Sequence, residues 1–260
     1  MDAATYLKQG QLEECKAQLF SEVKKDPSNL ELRIFLFQLS CIRKDWPRAL
    51  SQLEVLRGLS DSTLSLVNTY QQIIDCEKKR EKIIAGEQEP TCFGEPAQWL
   101  ALYVEAWRSA NELNFKQAQS LINQAADLAP VRSGEIDGER FEWISDGDVR
   151  FGPSIEIMLN GGYYWLPFDY VSEIQFEPVE DLRDLVWRPA NLTLKNKGKL
   201  IIFVPVRYPT GSNTGDQHLL SRTCDWDEPV EQFYIGNGQR VFLTDQAEHP
   251  ILSITTIKFD

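Results

Sequence analysis

The chain has 260 residues, 42% of them apolar, enough for one large core or two ordinary ones, which excludes extended disorder and collagen-like architectures. Its formal charge of −12 is unevenly placed: residues 1–134 carry 16 basic and 18 acidic side chains, net −2, and residues 135–260 carry 11 and 21, net −10. Such a surface repels phosphate backbones and anionic lipid, so neither nucleic acid nor a membrane is expected as partner, while basic proteins stay open.

The start, Met1-Asp2-Ala3-Ala4-Thr5, has neither the basic nor the apolar region of a signal peptide, and no apolar run approaches about eighteen residues. A cytoplasmic protein is the expectation. From there to residue 134, apolar residues recur at helical spacing. Leu30, Ile34, Phe37 and Cys41 form one stripe; Leu66, Tyr70 and Ile73 or Ile74 a second; Trp99, Tyr103, Ala106, Trp107 and Ala110 a third. Asp26-Pro27, Asp45-Trp46-Pro47, Gly58, Gly86, Pro90, Gly94 and Pro130 punctuate them as helix ends. The cysteines, Cys15, Cys41, Cys76, Cys92 and Cys224, are widely spaced and read as reduced, mostly buried thiols, not ligands or disulfides.

A repeat runs through this half. Leu12, Cys15 and Leu19 align with Trp46, Ala49 and Leu53, and again with Phe115, Ala118 and Ile122: large, small three later, large four later. The small residues lie 34 and then 69 positions apart, and Pro27 and Pro130 each follow their small residue by twelve. That period and closing proline suit tetratricopeptide (TPR) hairpins, in which a small residue lets two helices approach closely. Three such units and one degenerate unit are expected, TPR-like because Phe37 stands where a small residue is preferred; a generic helical bundle is the alternative.

After residue 134 the texture becomes β-branched and aromatic. Candidate strands are Phe141–Ile144, Ile155–Leu159, Gly162–Leu166, Val171–Phe176, Leu200–Val206, Gln232–Ile235, Arg240–Thr244 and Ile251–Phe259. Asn160-Gly161-Gly162 signals a hairpin, since its turn needs positive φ. The fold class is therefore α+β: a TPR-like helical domain over 1–134 and a β-rich domain over 135–260, a small antiparallel barrel or a bent sheet, with the boundary between Pro130 and Gly138.

No stretch carries a recognisable catalytic pattern. Asp146-Gly147-Asp148-Val149-Arg150 has paired aspartates, but no calcium-loop pattern follows and Arg150 is placed to neutralise them; a structural turn with an ion-pair network is expected. His218 and His249 lie in no catalytic setting; a site of His218, Cys224 and Asp225 is the less favoured reading. Gly236-Asn237-Gly238-Gln239-Arg240 lacks the lysine and helix of a phosphate loop and reads as a hairpin turn. Lys195, Lys197 and Lys199 read as a charged strand edge. No metal and no cofactor is expected.

The segment from Phe141 to Glu156, containing Trp143, Asp146, Asp148, Arg150, Gly152 and Pro153, resembles the signature of the ImpE family, also called SciE or TagJ. Gly162 to Pro167, Leu182 to Ala190 with Trp187, Pro205 to Pro209 with Arg207 and Tyr208, and Gly236 to Arg240 with Gln239 are similar to further blocks of that family, in order; Asp45 to Leu50 fits its helical half. The resemblance implies a non-enzymatic accessory protein of the bacterial type VI secretion system, a contractile injection machine. It also implies partners: a helix of the small sheath subunit TssB, and the sheath-recycling AAA+ ATPase ClpV.

Stacked hairpins form a concave groove that suits an amphipathic helix. Gln38, Cys41, Tyr103 and Trp107 would face it, the two aromatics as anchors, with packing between hairpins as the alternative for both. The near-neutral charge of residues 1–134 implies binding little affected by salt. Two other functions stay open: a purely structural helical-repeat subunit of an assembly, and an enzyme with its site around Asp146, Asp148, Arg150 and Arg240.

Overall fold

The computed structural model describes residues 1–95, 97–209 and 214–260. Among the described residues seven α-helices come first: α1 (Ala3–Lys8), α2 (Leu12–Lys25), α3 (Leu30–Ile42), α4 (Trp46–Leu59), α5 (Leu64–Ile84), α6 (Gln98–Asn111) and α7 (Phe115–Leu128). Leu12, Trp46 and Phe115 are the first residues of α2, α4 and α7, and the small residues Cys15, Ala49 and Ala118 are wholly buried where α1/α2, α3/α4 and α6/α7 pair.

The three hairpins turn in the same way. Gly10, Lys44 and Leu113 sit at φ 73°, 57° and 61°. At each, its N–H reaches the carbonyl three residues back, on Leu7, Cys41 or Ala110, and the next N–H reaches five back, to Tyr6, Ser40 or Ser109. This is a Schellman closure, which satisfies carbonyls that the ending helix would otherwise leave free. Asn29 and Asp45 cap α3 and α4 by accepting from Leu32 N at 3.1 Å and Arg48 N at 3.2 Å. The degenerate unit is α5, whose 21 residues form one long helix that packs on α4 and on the sheet.

Strands follow: β1 (Gly134–Ile136), β2 (Glu139–Phe141), β3 (Ile144–Asp146), β4 (Ser154–Leu159), β5 (Gly162–Pro167), β6 (Val171–Phe176), β7 (Trp187–Leu194) and β8 (Lys199–Pro205). After a short α8 (Asp216–Leu219) come β9 (Cys224–Asp227), β10 (Ile235–Gly238), β11 (Val241–Thr244), β12 (Glu248–Pro250) and β13 (Thr256–Phe259). Eight of them form one antiparallel sheet in the order β2-β1-β13-β6-β7-β8-β4-β5; β12-β11-β3 and β10-β9 form two small ones. The large sheet is open, so of the two architectures expected it is the bent sheet and not the barrel. The β4–β5 hairpin has the expected turn, with Asn160 and Gly161 at φ 49° and 74°.

Three readings of the strands are corrected. Trp187–Leu194 is an interior strand that the sequence concealed, because Arg188 and Pro189 interrupt its apolar run. In consequence Lys195, Lys197 and Lys199 mark the turn between two interior strands, β7 and β8, not a sheet edge. Gly236–Arg240 is not a hairpin turn: its first part belongs to β10, which pairs with β9, where Trp226 packs on Tyr208 at 5.6 Å.

Alternation along β4 sends Ile155 and Ile157 to one face and Glu156 and Met158 to the other, and both faces are buried. On the first, Ile155, Ile157, Leu192, Ile202 and Val204 form a core with Phe242 of β11. On the second, Met158, Tyr163, Trp165 and Trp187 join Trp46, Ile73 and Trp107 of the helices in one cluster. Each such fully buried side chain contributes roughly 1.5–3 kcal/mol. The segment from α5 to α6 adds to the cover: Phe93 N–H reaches Trp165 O at 2.8 Å and Trp165 N–H reaches Thr91 O at 3.0 Å, closing the edge of β5.

The change from helix to strand falls between Leu128 and Gly134, where Val131 is exposed. Limited proteolysis is expected to nick the chain there and leave two fragments that co-elute on gel filtration, because they share the second core. Fragments that part without denaturant would show that this core does not hold the halves together.

Candidate functional site

The family-like blocks converge on a buried polar junction between α5 and the sheet. Its centre is Arg240, which has no exposed surface. Its guanidinium lies 4.8 Å from the Phe151 ring centroid and 5.2 Å from that of Tyr208, and pairs with the carboxylates of Asp146 and Glu156. Glu156 in turn receives Arg80 of α5 in a forked contact, Nε at 2.6 Å and Nη2 at 2.9 Å. Arg80 Nη1 donates to Glu77 at 2.9 Å and Nη2 to the carbonyl of Arg207, also at 2.9 Å. Glu77 accepts from Trp187 Nε1 at 2.8 Å, while Tyr163 donates to Glu156 and accepts from Trp165 Nε1 at 2.8 Å.

A second branch runs through the aspartate turn. Asp146 accepts from Tyr208 OH at 2.7 Å and from the N–H of Asp148 at 2.9 Å. Asp148, fully buried, accepts from Arg150 Nε at 2.8 Å and Nη2 at 2.5 Å and from Gly236 N–H at 3.1 Å. Arg150 covers the Trp107 ring at 4.3 Å. A side chain at Gly152 would run into the ring of Tyr103, so this loop meets α6 only with glycine there.

Electrostatics separates the two carboxylates on Arg240. Burial pushes the Asp146 carboxyl up to about 7, more than Arg240 recovers, and Asp148 adds to the rise. Burial acts upward on Glu156 too, but Arg80 and Arg240, with hydrogen bonds from Arg80 and Tyr163, overcome it and hold the group at about 2. Such a split is what an acid and a base need. Here, however, the groups are 0–2% exposed and every carboxylate is engaged by arginine. In this state the junction clamps elements together, its charged groups turned toward one another and away from solvent.

The other motif residues are spread around this junction. Arg207 Nη1 donates to Ile42 O and Leu219 O, both at 2.7 Å, tying the end of α3 to α8. Gln239 bridges Ser221 O at 2.6 Å and Leu252 N at 3.1 Å. Trp187 stacks between Trp46 at 5.7 Å and Tyr70 at 6.2 Å. The carbonyl of half-buried Pro153 accepts from Phe168 N at 3.1 Å. Trp143 stands apart, 41% exposed between β2 and β3. Sequence reasoning passed over Glu77 and Arg80, and gave Glu156 and Tyr163, which lie inside family-like blocks, no role of their own. A signal was present for three of them: Glu156 interrupts an apolar β run, and Glu77 and Arg80 extend the apolar stripe of Ile73.

The expectation that Cys41, Tyr103 and Trp107 face an open groove is corrected. All three are buried, with 0–3% exposed, and Gln38 is half-buried. Trp107 packs on Phe151 at 5.0 Å and Trp165 at 5.4 Å, and the Tyr103 ring lies against Gly152, so the β half itself occupies what the two aromatics offered. What stays open is a groove on the outer side of α6. A hollow of about 520 Å³ there is lined by Pro90, Ala97, Leu100, Ala101 and Val104, and continues into one of about 250 Å³ with Trp107 on its wall.

Residues 138–258 match the family model described as ImpE protein. Over its whole length the chain is 39% identical to a Pseudomonas aeruginosa protein described as type VI secretion system accessory component TagJ, covering 92% of that protein. The crystal structure of protein VPA1032 from Vibrio parahaemolyticus has the same fold, with a TM-score of 0.89 at 23% identity over 99% of this chain and 97% of that one.

Removing Arg240 strands two buried carboxylates, so Arg240→Ala is expected to cost about 3–5 kcal/mol in urea unfolding. Arg150→Ala is expected to cost less, because Asp148 keeps two backbone N–H donors. The pH dependence has two signs. Glu156, lowered from 4.5, stabilises the fold above pH 4.5 and loses this as the pH falls toward 2. Asp146, raised from 3.8, takes up its proton in the folded chain first, so its burial weighs less as the pH falls from 7 to 3.8. Relative to wild type, Glu156→Gln should flatten the loss below pH 4.5 and Asp146→Asn the gain between 7 and 3.8. Parallel curves for all three proteins would contradict these assignments.

Proposed function

This chain belongs to the ImpE family, and from that premise we propose that it is a cytoplasmic accessory protein of a bacterial type VI secretion system that works by binding, not by catalysis. The relative named TagJ supports the secretion role. A binding role is supported by the state of the motif residues: the carboxylates and arginines that could have served chemistry are spent on one another inside the chain. Among the described residues no helix is long and apolar enough to cross a membrane.

The partner in this reading is an amphipathic helix of a TssB-type sheath subunit, through which the protein is linked to the ClpV-type ATPase. It docks on the helical half, in the groove along α6. That groove is the observation that carries the reading: it has the apolar floor that a helix stripe needs, Leu100, Ala101 and Val104, rimmed by Glu105 and Arg108. A second reading, a purely structural helical-repeat subunit, is favoured by the burial of Tyr103 and Trp107 under the β half.

Titration of the full chain with the amino-terminal helix of a sheath subunit, read by tryptophan fluorescence, separates the two. Saturable binding is expected, little affected by salt, and weakened by about 1–2 kcal/mol in Val104→Asp. Absence of binding by the intact chain would leave the structural reading.

A further inference from the structure

A second groove lies on the other side of α5. Lys78, Lys79 and Lys82 line a hollow of about 580 Å³ together with Asp75 and the turn residue Gly161. They are a cationic concentration on a chain of net charge −12. Lys78 is 42% exposed and meets Asp75 at 3.4 Å, Lys79 Nζ donates to Gly161 O at 3.0 Å, and three lysines face one aspartate. A hollow of about 280 Å³ adjoins it at Gln72 and Gly161, with Ile73, Met158 and Phe203 in its wall. At its mouth Ile201 of β8 is 70% exposed, an aliphatic side chain presented to solvent on an interior strand.

We infer that this two-part groove between α5, the β4–β5 turn and β8 is a docking surface for an acidic amphipathic helix of a partner protein. Apolar side chains of that helix rest on Ile201 and Phe203, above the buried Ile73 and Met158, and its carboxylates meet Lys78, Lys79 and Lys82. Charge complementarity selects this occupant: the lysines attract carboxylates, whereas the surplus of acid on the rest of the chain repels a polyanion as long as a nucleic acid. The surface goes beyond the α6 groove, which it meets only at Gln88, and takes a partner of different chemistry.

Fluorescence anisotropy on the full chain tests it with three labelled probes. They are a synthetic helix with leucine on one face and glutamate on the other, its counterpart with lysine for glutamate, and a single-stranded oligonucleotide. The glutamate helix alone is expected to bind, and more weakly as salt is raised. Lys78→Glu with Lys82→Glu should weaken it at least about tenfold, and Ile201→Ser severalfold, while reversal of the exposed Lys116 on α7 leaves it unchanged. Circular dichroism checks that each variant is folded; Ile201→Ser, on an open sheet face, serves if the double reversal is not. Equal binding of the two helices, preference for the oligonucleotide, or unchanged affinity in the folded variants would overturn the inference.

Discussion

A guanidinium shut away from water is tolerated only if carboxylates and hydrogen-bond acceptors surround it, and Arg240 imposes that condition on the whole molecule. It requires Asp146 and Glu156; Glu156, shared with Arg80, then fixes α5 against the sheet; Arg80 engages Glu77, and Glu77 the indole of Trp187. An apolar interface of the same area could slide by a residue at modest cost. This one cannot, because each step of a slide strands a buried charge. The rings of Phe151, Tyr208, Trp107 and Trp165 around it exclude water and so make every pairing obligatory.

The helical half was legible because hairpins leave a steric record. Cys15, Ala49 and Ala118 had to be small, and the distance between them gave the period. The occupant of the concave side was not legible, since an aromatic stripe such as Trp99, Tyr103 and Trp107 reads the same whether a partner or the chain itself covers it. In the β half, strands with clean alternation such as β4 and β5 could be read. Pairing over long separations, such as Gly134 with Phe259, leaves no local mark, and Pro189 hid a central strand. The motif around Asp146 could be recognised as a network, but two of its buried partners, Glu156 and Arg80, lie 76 residues apart and only the fold joins them.

Self-burial of the concave side changes what the repeat contributes. In an open array of hairpins the inner surface serves others; here the chain's own sheet covers it, and the surfaces on which we propose recognition are the outside of α6 and the flank of α5. These surfaces are shallower than a concave cradle and include exposed side chains such as Ile201 and Lys82, whose replacement leaves the core intact. Binding properties can therefore diverge among chains that share the buried junction.

The position of β13 bears on how the protein is made. Thr256–Phe259 lies between β1 and β6, so the strand synthesised after all others of its sheet is the one that joins two parts of it. While the ribosome is still translating residue 250, β1 with β2 on one side and β6 with its neighbours on the other have no shared ladder, although the helices have long since emerged. The nascent chain thus carries its helices beside a divided sheet with two raw edges, on β1 and β6, and the core on the helix-distant face closes only once Thr256–Phe259 has been added. A chain cut short of β13 would leave β1 and β6 with unpaired edges, the kind of exposed strand that pairs with other chains.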